Sequence, residues 1–132
     1  MAIEVKPVVS PHLVVGDGAA AIDFYVKAFD AVELGRVPGP DGRLFHAALQ
    51  INGFMVMLND DFPEHRGGIE ASVPGGLTLH LQVPDADAVW DSAVAAGATV
   101  KLPLENQFWG DRYGQLEDPF GFAWSIGGPK TE

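Results

Sequence analysis

HLVVGD, residues 12–17, returns as HLQVPD at residues 80–85, 68 positions further on. Sliding the chain by 68 extends the echo. His12/His80, Leu13/Leu81, Val15/Val83, Asp17/Asp85, Ala20/Ala88, Asp23/Asp91, Val26/Val94, Ala28/Ala96, Val32/Val100 and Leu34/Leu102 are identical, ten matches in the 23 positions from His12 to Leu34. Average composition yields roughly one or two in such a window. After a divergent middle, Gly53-Phe54 matches Gly121-Phe122 at the same offset. A repeat decides architecture before any single motif does. Two copies are too few for a solenoid, so they imply one domain, 1–132, built of two paired modules.

Both copies read alike. A β-rich stretch, 8–15, leads through Gly16-Asp17-Gly18 into a helix whose Ile22, Tyr25, Val26 and Phe29 form an apolar stripe at i, i+3, i+4, i+7. Strands follow at 32–37, 44–51 and 54–58, the last two joined by Asn52-Gly53, a two-residue hairpin signal. Module one, about 8–60, is therefore β-α-β-β-β. The stretch of about 61–76 is rich in Gly, Pro and charge, and reads as a linker or a lid over a site. Module two, about 77–127, repeats the order. A strand at 77–83 precedes a helix capped by Asp85 and stopped by Gly97, with Val89, Trp90, Ala93 and Val94 inward. A short strand at 100–102, a loop at 103–112 and a hairpin of strands 113–117 and 120–126 complete it. The tail GGPKTE is expected to fray.

Period-two alternation assigns the faces. Leu13, Val15, Leu81, Val83, Phe54, Val56, Leu58, Phe122, Trp124 and Ile126 should face the helices. Ser10, His12, Val14, Thr78, His80, Gln82, Met55, Met57, Asn59, Ala123 and Ser125 should face away. That second face is semi-polar, a poor core surface and a plausible cleft lining.

Composition removes several classes. The 132 residues carry a formal net charge of −10 and no cluster of Lys or Arg, which disfavours nucleic acid. There is no cysteine, hence no disulfide and no thiolate chemistry. No apolar run approaches the ~20 residues of a membrane span. MAIEVKPVV lacks the pattern of a secretory signal, so a cytoplasmic location is expected.

A doubled β-α-β-β-β module, an opening strand ending in V-x-D before AIDFY, and a closing D-P-F-G resemble the vicinal oxygen chelate superfamily. That superfamily includes glyoxalase I, extradiol dioxygenases, and bleomycin and fosfomycin resistance proteins. The resemblance covers about residues 8–127. FWGDRYGQLEDPFG, 108–121, looks most like the bleomycin-resistance or PhnB-like branch. It implies an α+β fold of two modules forming a curved, incomplete barrel around a cleft, commonly in a homodimer.

Metal-dependent members of that superfamily carry a His near the start of each opening strand and a Glu in each last strand. The matching positions here are Ser10, Thr78, Met57 and Ser125, none a usual ligand for a divalent ion. No metal and no cofactor are therefore expected. His12 and His80 lie two residues past the expected histidines, so a shifted site remains the alternative, with a carboxylate from Glu105, Glu117 or the linker. It would make the chain a metal-dependent lyase or dioxygenase. Otherwise both histidines line the cleft or hydrogen-bond the backbone. His46, in RLFHAAL, is a candidate base or donor, or a structural residue. Trp109 offers stacking surface and Arg112 an anion grip, unless Arg112 pairs with Asp111 or Asp118. Met55 and Met57 are core filler or an adaptable apolar wall. The expected ligand site thus comprises His12, His46, Met55, Met57, His80, Gln82, Trp109 and Arg112. The expected function is binding of a small, partly aromatic molecule, with no nucleic-acid or membrane partner.

Overall fold

Asp17 and Asp85 start the two helices in the same way. Each carboxylate accepts from the amide three residues on, that of Ala20 or Ala88, at 3.1 Å. This satisfies one of the donors that a helix N-terminus leaves without a partner. The computed structural model describes residues 8–132. The start of MAIEVKPVV, in which no signal pattern was read, lies outside the described residues. Module one comprises β1 (His12–Val15), α1 (Gly18–Phe29), β2 (Val32–Pro38), β3 (Leu44–Ile51) and β4 (Phe54–Asp60). Module two comprises β5 (Leu79–Gln82), α2 (Ala86–Ala96), β6 (Thr99–Asn106), β7 (Asp111–Glu117) and β8 (Ala123–Pro129). A 3-10 turn, Pro63–Arg66, lies between them. Among the described residues no helix is long and apolar enough to cross a membrane.

Each module folds into a four-stranded mixed sheet, ordered β1-β4-β3-β2 and β5-β8-β7-β6, with no closed barrel. The opening strand runs parallel to the last one. His12 lies opposite Met57, and His80 opposite Ser125. The offset of 68 therefore holds at both ends of the repeat. Between them it becomes 67, since Ala48 pairs with Met57 while Gln115 pairs with Ser125. Module two is one residue shorter at the end of its helix and one longer in its last turn. The identities Val32/Val100 and Leu34/Leu102 are accordingly out of step with the strand pairing. Val32 pairs with Gln50, whereas it is Thr99 that pairs with Glu117.

The core lies between the helices and the sheets. Leu13, Val15, Val56, Leu58, Leu81, Phe122, Trp124 and Ile126 are all buried, as alternation requires. Phe54, 77% exposed beside the hairpin tip, departs from it, and Val83 is half-buried. Val26 and Val94 also differ from the reading, at 41% and 40% exposed. The buried line of α1 instead runs through Ala21, Ile22, Phe24, Tyr25, Ala28 and Phe29.

Module two departs furthest from the strands expected. Its opening strand is shorter, Leu79–Gln82, and follows Gly76 at φ 71°. β6 and β7 run straight through most of the supposed 103–112 loop. Pro103 masks this strand in the sequence. It sits within a register irregularity on an edge strand, where a missing N–H costs no ladder bond. β8 begins at Ala123 and ends at Pro129, so the tail is paired for part of its length. Beyond it, the Thr131 amide donates to Asn106 Oδ1 at 3.1 Å.

Asp118 joins the modules. Its buried carboxylate accepts from Tyr25 Oη (2.6 Å), Trp124 Nε1 (2.9 Å) and the amides of Phe120 (2.9 Å) and Phe122 (3.0 Å). Burial, with the Asp118 charge beside it, pushes the Tyr25 phenol far up, so it stays a donor at every ordinary pH. Around this node Phe29 meets Trp124 at 4.6 Å between ring centroids, and Phe24 meets Phe120 at 6.2 Å. The D-P-F-G turn is thus also the clamp between modules.

Candidate ligand-binding face

The sheet face away from α2 carries one connected group. β7 alternates, so Tyr113, Gln115 and Glu117 point away from the helix. Gly114 and Leu116 point towards it, where Trp90 of α2 packs over Gly114. Strand pairing puts His80, Ser125 and Gln115 in one row across the sheet. His80 Nδ1 lies 2.7 Å from Ser125 Oγ, and Nε2 lies 2.8 Å from Gln82 Oε1. The imidazole stacks on Tyr113 at 5.9 Å and 24°. Trp109, 52% exposed, meets the same tyrosine edge-on at 5.8 Å. Gln115 Nε2 donates to the Tyr113 hydroxyl at 3.1 Å.

Gly127 is the floor of this group. A Cβ there would lie 2.8 Å from Gln82 Oε1 and 3.0 Å from His80 Cε1. Only a glycine lets both side chains lie flat on β8.

A crevice of about 290 Å³ opens beside His80, where module two meets the hairpin of module one. Met55, Phe54 and Pro11 line it from one side, and His80, Gln82 and Leu79 from the other. The structure therefore brings together Met55, His80 and Gln82, with Trp109 reached through Tyr113. His12 and Met57 sit opposite each other on module one. The imidazole of His12 donates through Nε2 to Asn59 Oδ1. His12 lines a different crevice, about 320 Å³, walled by Val14, Leu77 and the linker residues Arg66, Ala71, Ser72 and Pro74. His46 is half-buried in β3, opposite Val37.

Arg112 lies on the other side of the sheet. Its guanidinium makes a two-pronged pair with Asp87 in the first turn of α2, at 2.9 and 2.8 Å. The partner is neither Asp111 nor Asp118, the carboxylates suggested by proximity in sequence. Arg112 holds the Asp87 carboxyl below the usual range. Tyr113, Gln115 and Ser125 are the residues that sequence reasoning did not put in the site. The signal was available in the alternation of Tyr113, Gln115 and Glu117 along one strand.

The donor set does not fit the metal that this architecture holds elsewhere. Ser125 stands opposite His80 and is committed to it, and Met57 stands opposite His12. Among the described residues no three His, Asp or Glu side chains converge. What the face offers is stacking surface on Trp109 and Tyr113 and uncharged hydrogen-bonding groups on Ser125, Gln82 and Gln115.

Two helix-backed, four-stranded mixed sheets related by the repeat define a two-module α+β fold. The chain belongs to the Glyoxalase/Bleomycin resistance protein/Dioxygenase superfamily, whose family model matches residues 6–126. An uncharacterized protein of Mycobacterium tuberculosis is 63% identical over 137 residues, covering all of this chain and 80% of that protein. Among solved structures, TioX from Micromonospora sp. ML1 matches with a TM-score of 0.70 and 25% identity over 96% of this chain and 98% of that one. A glyoxalase-related enzyme from Fulvimarina pelagi matches at TM-score 0.73 and 26% identity, over 94% and 88%. The fosfomycin resistance protein FosX of Listeria monocytogenes, at TM-score 0.71 and 14% identity over 96% of both chains, shares the fold.

Proposed function

We propose that this chain binds a small, partly aromatic molecule without a metal ion, on the face of module two around His80. The observation that carries the reading is the continuous row Trp109, Tyr113 and His80, joined to Ser125 and Gln82 and bordering the crevice shared with Met55. Aromatic side chains exposed side by side stabilise a planar ligand beyond the area they bury. Neutral donors and acceptors beside them fix its orientation. Membership of the Glyoxalase/Bleomycin resistance protein/Dioxygenase superfamily supports a small molecule as the ligand.

The working form we propose is a two-fold homodimer. Support comes from edge strand β2, whose Val32, Leu34 and Val37 are exposed, and from Phe54 and Phe108. One experiment tests the binding reading. Titration calorimetry with a panel of planar aromatics is run on wild type, Trp109→Ala and His80→Ala, beside metal analysis of protein purified without chelators. Binding that weakens in both variants, with metal at background, is expected. Stoichiometric zinc, iron, nickel or manganese that vanishes in a His12→Ala, His80→Ala double variant would overturn it.

A further inference from the structure

We infer that the ligand of the His80 face presents an uncharged hydrogen-bond acceptor, a carbonyl or amide oxygen, to His80 Nε2, in the seat that Gln82 Oε1 occupies. The inference rests on the binding reading above and adds the chemistry of the group recognised. The Gln82 contact atom is an amide oxygen, which accepts and never donates. Nε2 of His80 must therefore carry the hydrogen. In the neutral ring Nδ1 is then the acceptor, and the Ser125 hydroxyl donates to it over 2.7 Å. Ser125 is 2% exposed and cannot swing away, so the tautomer is held from below. Gln82 is exposed and its side chain can leave. Its backbone carbonyl stays tied to Asn52 Nδ2 at 3.1 Å, so β5 does not move with it.

The result is a directed N–H that lies over the Gly127 floor, on a histidine that also borders the crevice shared with Met55. A neighbouring row of the same face carries Glu117 beside Ala123. A carboxylate and a net charge of −10 oppose an anionic ligand. An uncharged carbonyl oxygen satisfies the N–H without that repulsion. Gln82 is then a built-in competitor that keeps the donor satisfied when no ligand is bound.

Three probes of one shape separate the possibilities on the intact protein: 2-naphthamide, 2-naphthoate and 2-ethylnaphthalene. Wild type is expected to prefer the amide over the hydrocarbon and the carboxylate by about fivefold, the worth of one net hydrogen bond. Gln82→Ala should tighten the amide severalfold relative to the hydrocarbon. His80→Ala should erase the preference. In ¹⁵N spectra the neutral ring of His80 should carry its hydrogen on Nε2, and Ser125→Ala should mix the tautomers. Equal binding of hydrocarbon and amide by wild type would overturn this inference and leave the binding reading standing. Failure of all three probes would sink both.

Discussion

His12 and His80 hold the same register position in the two modules, yet their surroundings share almost nothing. Opposite His12 stands Met57, and opposite His80 stands Ser125. One position further across each sheet, Ala48 corresponds to Gln115. Val14 takes the place of Gln82, and Asn59 that of Gly127. The pattern inverts on the other side of the sheets. Helix α1 buries Phe24, Tyr25 and Phe29, where α2 has Ser92, Ala93 and Ala96. Module one thus carries the aromatic core that grips its neighbour, and module two carries the polar, aromatic face. A duplicated backbone fixes only where side chains point. What they do there has been divided between the copies.

The clearest way to break this division is to attack the clamp. Asp118→Ala leaves Tyr25 Oη, Trp124 Nε1 and two amides without their buried acceptor. Each orphaned buried donor costs about 1–3 kcal/mol. A loss of more than about 3 kcal/mol in urea unfolding is therefore expected. Asp60 is the control in module one. It is also buried, but accepts only from the amides of Gly18 (2.8 Å) and Leu44 (2.6 Å). Asp60→Ala should cost less. If the two variants lose equal stability, the modules do not depend on the cross-module node as argued.

The second test concerns a size exchange between the copies. Gly18 and Asp60 of module one correspond to Ala86 and Gly128 of module two. A Cβ on Gly18 would lie 2.7 Å from Asp60 Oδ2, and one on Gly128 would lie 2.6 Å from the Val83 carbonyl oxygen. Gly18→Ala is expected to destabilise by about 1–3 kcal/mol, as overpacking does. Combined with Asp60→Gly it should cost less than the sum of the single changes. Strict additivity in that double-mutant cycle would show that the two sites are not coupled.

The repeat, both helices, the Asp85 cap and, apart from Phe54 and Val83, the face assignment could be read from the sequence, because each rests on local periodicity and a shared offset. The one-residue slip from 68 to 67 could not, because Val32/Val100 and Leu34/Leu102 coincide in sequence while the strand pairing sets them out of step. Pro103 hid a long strand for a similar reason. Its tolerance depends on lying at a sheet edge, which is a property of the assembled sheet. Of the site, His80, Gln82, Met55 and Trp109 follow from strand alternation and aromatic content. Arg112 pairs with a helix residue 25 positions away in sequence, and nothing local signals that. Ser125 was placed on the cleft face but given no role there beyond a missing metal ligand, although its hydroxyl is what orients His80.

A third test compares the two histidines directly. Binding of a planar aromatic amide should weaken by about tenfold in His80→Ala, which removes both a hydrogen bond and a stacked ring. Its counterpart His12→Ala should change it by less than about twofold, since His12 lines the other crevice. Titration by tryptophan fluorescence suits this, because Trp109 is the exposed indole of the face. Equal effects would mean that one ligand spans both modules.

The smallest expected effect lies in the linker, which is fastened to module one. Arg43 holds Glu64 at 3.0 and 2.6 Å, donates to the Asp61 carbonyl at 3.1 Å, and lies 4.3 Å over the Phe62 ring. Asp61 in turn accepts from the Ala71 amide at 3.0 Å and pairs with Arg66. The Arg43 guanidinium holds the Glu64 carboxyl down to about 2. A carboxylate depressed in the folded state contributes stability above its ordinary value of 4.5, and that contribution is lost as pH falls towards 2. The latch should therefore be intact at neutral pH and loosen only between about pH 4.5 and 2. Both charges are exposed, so the global stability change should be small. The local signature is a Glu64 carboxyl that titrates well below the ordinary range by NMR, together with Ala71 amide protection that fades in acid once its own acceptor, the depressed Asp61 carboxylate, is protonated. Arg43→Ala should return Glu64 to the ordinary range while the β1–β4 amide of Met57, bonded to the Pro11 carbonyl at 2.9 Å, keeps its protection. A Glu64 that already titrates in the ordinary range in wild type would mean that Arg43 does not latch the linker, and that the wall beside His12 is free to move.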